Sequence, residues 1–170
     1  MDGHMRALTH LGIPAGVIAV LTASTVTLGT GAASATGPIP LNASLRNCDF
    51  SLVSTAIQVP HTALGRGTAL VQSSGSTVTA QVHMVVSNEP GTHFDVGLIQ
   101  TPRPSSATCG PGDPGTTFTG LDTDGSGQAT VTLQAPLREG TTGVWVIVET
   151  GNAHNQAPGE FYTSEFQAPV

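Results

Sequence analysis

The sequence predicts an all-β fold of about eight antiparallel strands, arranged as a two-sheet sandwich or a Greek-key barrel with one disulfide. Three observations carry this. Beyond residue 50, apolar and polar residues alternate at period two in runs of five to ten. Clusters of Gly, Pro, Asn and Asp separate the runs as turns would. No segment after the N-terminal stretch shows a convincing helical period.

The N-terminal stretch is different. Arg6 supplies a positive charge, and an apolar run follows, densest from Ile13 to Leu21 and broken by Pro14 and Gly16. Ala33-Ser34-Ala35 ends it with small residues where a signal peptidase reads. Residues 1–35 are therefore expected to be a secretory signal, too short and too broken for a membrane span. Residues 36–49 are expected to be a flexible lead-in and residues 50–170 the β-sandwich domain.

Within that domain, Val53, Thr55, Ile57 and Val59 predict a first strand, ended by Pro60. Ala69 and Val71 mark the next, and Ser73-Ser74-Gly75-Ser76 a hairpin turn. Val78, Ala80, Val82, Met84 and Val86 line one face of a third strand, with His83 on the other. Asn88-Glu89-Pro90-Gly91 turns the chain, and Phe94, Val96 and Leu98 resume the alternation. Residues 101–115, with four prolines and three glycines, form a long loop. Phe118 and Leu121 mark a short strand, Asp122 to Gly127 a turn, and Ala129, Val131 and Leu133 another strand. Val144 to Val148 is a solid β-branched and aromatic run, and Phe161 to Phe166 closes the chain.

Strand parity sorts the connections. If each strand reverses direction, the region near Cys48 shares one end of the domain with the 73–76, 101–115 and 135–141 connections. The 60–66, 87–92, 122–127 and 151–160 connections fall at the opposite end. Cys48 and Cys109 thus share an end, and an isolated cysteine pair in an exported chain is expected to form a disulfide.

Composition excludes some functions. Of 170 residues, removing 35 leaves 135; losing Asp2 and Arg6 leaves four arginines against ten acids, a formal charge of −6, with no lysine. A nucleic-acid partner needs a basic stripe to displace counterions, and none exists. Stable membrane insertion is not expected either. A cell-envelope component is compatible with the composition, which also fits a high-GC bacterial genome.

Few residues point to chemistry. Asp122-Thr123-Asp124-Gly125-Ser126-Gly127 is like the start of a calcium loop, whose twelfth position should hold a bidentate Glu. Leu133 stands there, and a tight β-turn explains the same residues. A cation site could combine His154 with Asp122 or Asp124. His93 and Asp95 share a strand face and could supply two ligands. His61, Glu89 and Glu160 are candidate ligand-binding residues at the same acidic end, and Glu89 and Glu160 could form an acid pair. No cofactor is required by these residues; calcium, copper or zinc are the metals they would admit. No nucleophile elbow, zinc-protease helix or phosphate-binding glycine loop is present, and no catalytic residue is assigned. Trp145, within an apolar run, reads as packing rather than a ligand platform.

Gly67-Thr68-Ala69-Leu70, then Glu89-Pro90-Gly91-Thr92-His93-Phe94-Asp95-Val96-Gly97-Leu98, then Thr123-Asp124-Gly125-Ser126-Gly127 resemble small exported bacterial β-sandwich proteins. In layout the chain is similar to the copper/zinc superoxide dismutase sandwich, which also has eight strands and a disulfide tethering a long loop. That resemblance implies a copper-binding His-x-His near Phe94 to Gly97, where this chain has Asp95 and Gly97. The departure removes the ground for carrying over metal or activity. The expectation is an exported, non-enzymatic β-sandwich with a binding or structural role outside the cytoplasm. The alternative is a metal-binding protein of superoxide-dismutase-like architecture. A glycan-binding module is a third reading, weakened by the lack of an aromatic cluster.

Overall fold

Alternation of apolar and polar side chains sets one face of each strand inward. The computed structural model describes residues 34–35, 37–53, 63–150 and 159–170, all within the compact unit Gly31–Val170. Its strands are β1 (Ser34–Ala35), β2 (Ile39–Asn42), β3 (Arg66–Ser74), β4 (Thr77–Val85) and β5 (His93–Thr101). They continue with β6 (Thr116–Asp122), β7 (Gln128–Pro136), β8 (Gly143–Thr150), β9 (Phe161–Ser164) and β10 (Ala168–Pro169). All pair antiparallel in the order β6-β5-β8-β9-β2-β3-β4-β7, with β1 on β3 and β10 on β8. β6 and β7 lie alongside each other, so the sheet curls into a nearly closed barrel. No helix among the described residues is long and apolar enough to cross a membrane.

The interior holds the predicted alternating residues. Val78, Ala80, Val82 and Met84 of β4 meet Phe94, Val96 and Leu98 of β5 and Val144, Val146 and Val148 of β8. Each fully buried Val, Leu, Met or Phe side chain stabilises by roughly 1.5–3 kcal/mol. The hairpin at 75–76 is made possible by Gly75, whose φ of +57° suits glycine. Gly127 serves the β6–β7 turn: at φ +74°, a Cβ there would lie 2.2 Å from the Val86 carbonyl oxygen.

Residues 37–49, within the expected flexible lead-in 36–49, depart from that expectation. Ile39 is fully buried, and Ile39–Asn42 is a strand pairing with β3 on one side and β9 on the other. Ile39 and Leu41 alternate around Pro40 as any half-buried strand does. The run is only four residues long and carries a proline, which is why it read as a lead-in. The predicted strand at 53–59 falls almost wholly outside the described residues, and Val53 itself is not in a strand.

Parity holds for the described connections. The 75–76 turn meets the 137–142 connection through Leu137 N–H to the Ser76 carbonyl (2.7 Å). Gln100, buried at the end of β5, donates to the Pro136 carbonyl and accepts from Arg138 N–H and the Thr141 hydroxyl. At the opposite end, Val86 N–H bonds the Gly127 carbonyl and Gly91 N–H the Thr123 carbonyl, zipping the 86–92 and 122–127 connections together.

Cys48 and Cys109 form the expected disulfide, with Cα atoms 5.6 Å apart at a sequence separation of 61. Closing a loop of that length stabilises by about 4 kcal/mol on chain entropy. Non-reducing peptide mapping should recover the linked pair. Cys109→Ser should lower Tm by roughly 10–15 °C for a domain of this size. Two titratable thiols in the native protein would contradict the pairing.

Candidate functional site

β5 and β8 are buried on both faces, so something must cover the outside of the barrel there. Ile99, Trp145 and Ile147 point outward and form a small second core with Phe50, Cys109 and Phe118. The cover comes from two non-strand segments. Residues 45–53 make a short hairpin, with Asn47 N–H bonded to the Ser51 carbonyl and Val53 N–H to the Leu45 carbonyl. Asp49 Oδ1 stabilises its tip by accepting from the Ser51 N–H (3.0 Å) and hydroxyl (2.6 Å). Phe50 sits there at φ +75°, a conformation that a bulky side chain adopts only when its surroundings impose it. Its ring packs on Trp145 at 5.7 Å between centroids, and the Arg46 guanidinium lies 3.8 Å from the ring centre.

The second segment is the 102–115 loop. Arg103 donates to the Pro114 and Thr108 carbonyls, and Asp113 accepts from Gly110 N–H at 2.7 Å. The disulfide joins this loop to the hairpin. Between these covers and the sheet lies a cavity of about 450 Å³, partly open to solvent. Ile99, Trp145 and Ile147 form its floor, and Phe118 and Val53 contribute apolar wall. Arg46, Asp113 and Glu149 supply its charged groups, and Cys48 and Cys109 close one side. Gly97 lets the Phe118 ring pack directly on β5. A Cβ there would lie 2.5 Å from the Phe118 ring, so position 97 has no room for a histidine as long as Phe118 packs on it.

The polar groups of the cavity differ in how well they are satisfied. Trp145 is 1% exposed, yet its indole Nε1 has no hydrogen-bond partner. Arg46 Nη1 and Nη2 donate to the carbonyls of Phe50 and Glu165 (both 3.0 Å), whereas its Nε is buried without an acceptor. Burial pushes the Glu149 carboxyl up to about 6, and Asp95, opposite it in the β5–β8 ladder, adds to the shift.

The residues singled out from sequence are placed as follows. His61 and His154 lie outside the described residues. Asp122 bonds His93 Nδ1 at 2.7 Å, which raises the histidine's pKa, and Asp95 stands 3.6 Å from Nε2. Asp124 Oδ1 accepts from the Ser126 N–H and hydroxyl and from Gln128 N–H, a closed β-turn. His83 is an exposed strand residue bonded to the Thr130 hydroxyl. Among the described residues, no three His, Cys, Asp or Glu side chains converge as a metal site would require. Glu89 and Glu160 are brought together. Glu160 is 3% exposed and accepts a short hydrogen bond from the Tyr162 hydroxyl, which in turn accepts from Gly65 N–H at 2.8 Å. Burial pushes the Glu160 carboxyl up to about 7, with the neighbouring Glu89 carboxylate adding to it. Burial and the Glu160 carboxylate also raise the Tyr162 phenol.

Sequence reasoning passed over Arg46, Phe118 and Glu149 as cavity residues and took Trp145 for packing alone. One signal was available: in Val144–Val148 apolar residues occupy both parities, which demands cover on both faces. The chain matches no protein-family model, no curated protein and no solved structure.

Glu160 makes stability depend on pH. Its acid form is favoured by folding, so the stabilisation is complete below the ordinary value of 4.5 and is lost as pH rises through about 7. Denaturant unfolding should therefore show wild type losing more stability between pH 5 and pH 8 than Glu160→Gln, which keeps the Tyr162 contact without the charge. Parallel pH profiles for the two proteins would contradict this.

Proposed function

We propose that this is an exported, non-enzymatic β-sandwich protein that binds a small molecule in the cavity on the outer face of β5 and β8. One observation carries the reading: the cavity floor holds a buried tryptophan whose polar atom is unpaired. Buried polar groups are almost always satisfied, and exceptions call for an explanation such as a partner not present. The volume lies within the range of small-molecule sites, which combine an apolar lining with a few placed polar groups. Arg46 donates to the Phe50 and Glu165 carbonyls and Asp113 accepts from Gly110 N–H, so both hold backbone in place, as groups that shape a site do.

Export is supported by Ala33-Ser34-Ala35 and by the disulfide, which fits an oxidising compartment such as the cell envelope or the medium. Cleavage before Thr36 would remove β1, a two-residue pairing on β3, and leave β2 to open the barrel. N-terminal sequencing of secreted protein should begin within a few residues of Thr36. An intact N-terminus in a membrane fraction would overturn the export reading.

The chain has a single tryptophan, so its fluorescence reports on the cavity alone. Titration with 1-aminoanthracene, a dye uncharged at neutral pH, should quench Trp145 saturably while near-ultraviolet circular dichroism stays native. Unquenched Trp145 with no dye enhancement would refute the binding site.

A further inference from the structure

We propose that the cavity takes an organic cation, a primary ammonium on an apolar body, and that the ammonium pairs with the Glu149 carboxylate; this rests on the binding role proposed above. Among the described residues, the charged side chains lining the cavity are Arg46, Asp113 and Glu149. The first two are already engaged. Arg46 directs Nη1 and Nη2 to backbone carbonyls, and its Nε is buried out of a ligand's reach. Asp113 accepts from the Gly110 N–H through Oδ2. Glu149 is the exception. It is half-buried and lines the open cavity, yet among the described residues its carboxyl has no hydrogen bond and no ion pair.

The sheet sharpens that need. Asp95 stands directly opposite Glu149 in the β5–β8 ladder, so two acids sit side by side on one face. Like charges directly opposite each other in an antiparallel pair are destabilising. His93 Nε2 lies 3.6 Å from Asp95, but among the described residues no cation pairs with Glu149. Burial, with the Asp95 charge, pushes the Glu149 carboxyl up to about 6, so at neutral pH it ionises at a cost that a cation removes. A neutral donor would leave the two acids facing each other, and an anion would add a third negative charge to them. The rest of the lining asks for hydrocarbon. Leu45, Val53 and Phe118 are half-buried there. Ile147 shares the Glu149 face of β8, about 7 Å along the strand, so an ammonium held at Glu149 lets its apolar body run over Ile147.

A matched pair of probes separates this claim from the binding role itself: 1-adamantanemethylamine and 1-adamantanemethanol. Both carry the same apolar body and both can donate a hydrogen bond, but only the amine is charged at neutral pH. Both should move the backbone amide resonances of Ile147 and Glu149 saturably. Calorimetric titration should give the amine at least about tenfold tighter binding than the alcohol, because only it pairs the carboxylate with a charge. Glu149→Gln keeps the side chain's shape and removes the like-charge contact with Asp95, so the fold tolerates it. It should leave the alcohol's affinity unchanged and erase the amine's advantage. Equal affinities in wild type, or an advantage that survives Glu149→Gln, would overturn the cation class while leaving the cavity a binding site. If neither compound moves the Ile147 and Glu149 resonances, the class and the site fail together.

Discussion

The bond between Cys48 and Cys109 decides what becomes of the outer face of this barrel. It links two segments that belong to no named strand: the hairpin that leaves β2 and the loop that leaves β5. Neither buries much apolar surface alone. Joined, they hold Phe50 against Trp145 and place Arg46 where it can bond the Glu165 carbonyl across the chain. The outward residues Ile99, Trp145 and Ile147 would otherwise be an exposed apolar strip on two neighbouring strands, an association hazard. The covers do not fill that strip completely, and the remainder is the cavity. Fold and site are therefore two consequences of one constraint.

The opposite end of the barrel handles polar groups differently. There the 86–92 and 122–127 connections exchange backbone hydrogen bonds, and Glu160, Tyr162 and Gly65 form a short buried chain. A carboxyl beside a second carboxylate in low dielectric keeps its proton into the neutral range. This cluster is closed on itself: the hydroxyl and its carboxyl partner satisfy each other. Around the cavity the reverse holds, with Trp145 Nε1 and Arg46 Nε buried and unpaired. That contrast is why the site is placed on the sheet face and not among the acids.

Much of the fold was legible in the sequence. Period-two alternation located β3, β4, β5 and β7, which each bury at least one face, and an unbroken apolar run located β8, which is buried on both. Exported context and parity together anticipated the disulfide. β2 was missed because four residues around a proline give too little pattern to read, and its burial depends on β3 and β9, distant in the chain. The site was hidden for a related reason. Arg46, Phe50 and Glu149 are unremarkable in their local sequence, and only long-range contacts, the disulfide among them, bring the first two over the strand that carries the third. Asp124, by contrast, advertised itself with a pattern that turns and cation loops share, and its carboxylate serves the turn.

The central claim is that the disulfide holds a cover over Trp145 without being needed for the barrel beneath it. Trp145 emission before and after complete reduction, read together with far-ultraviolet circular dichroism well below the melting temperature, tests it most directly. The account predicts a red shift in emission and greater quenching by acrylamide, with the β-sheet signal retained. An emission spectrum unchanged after both thiols are freed would contradict it, as would collapse of the β-sheet signal along with the shift.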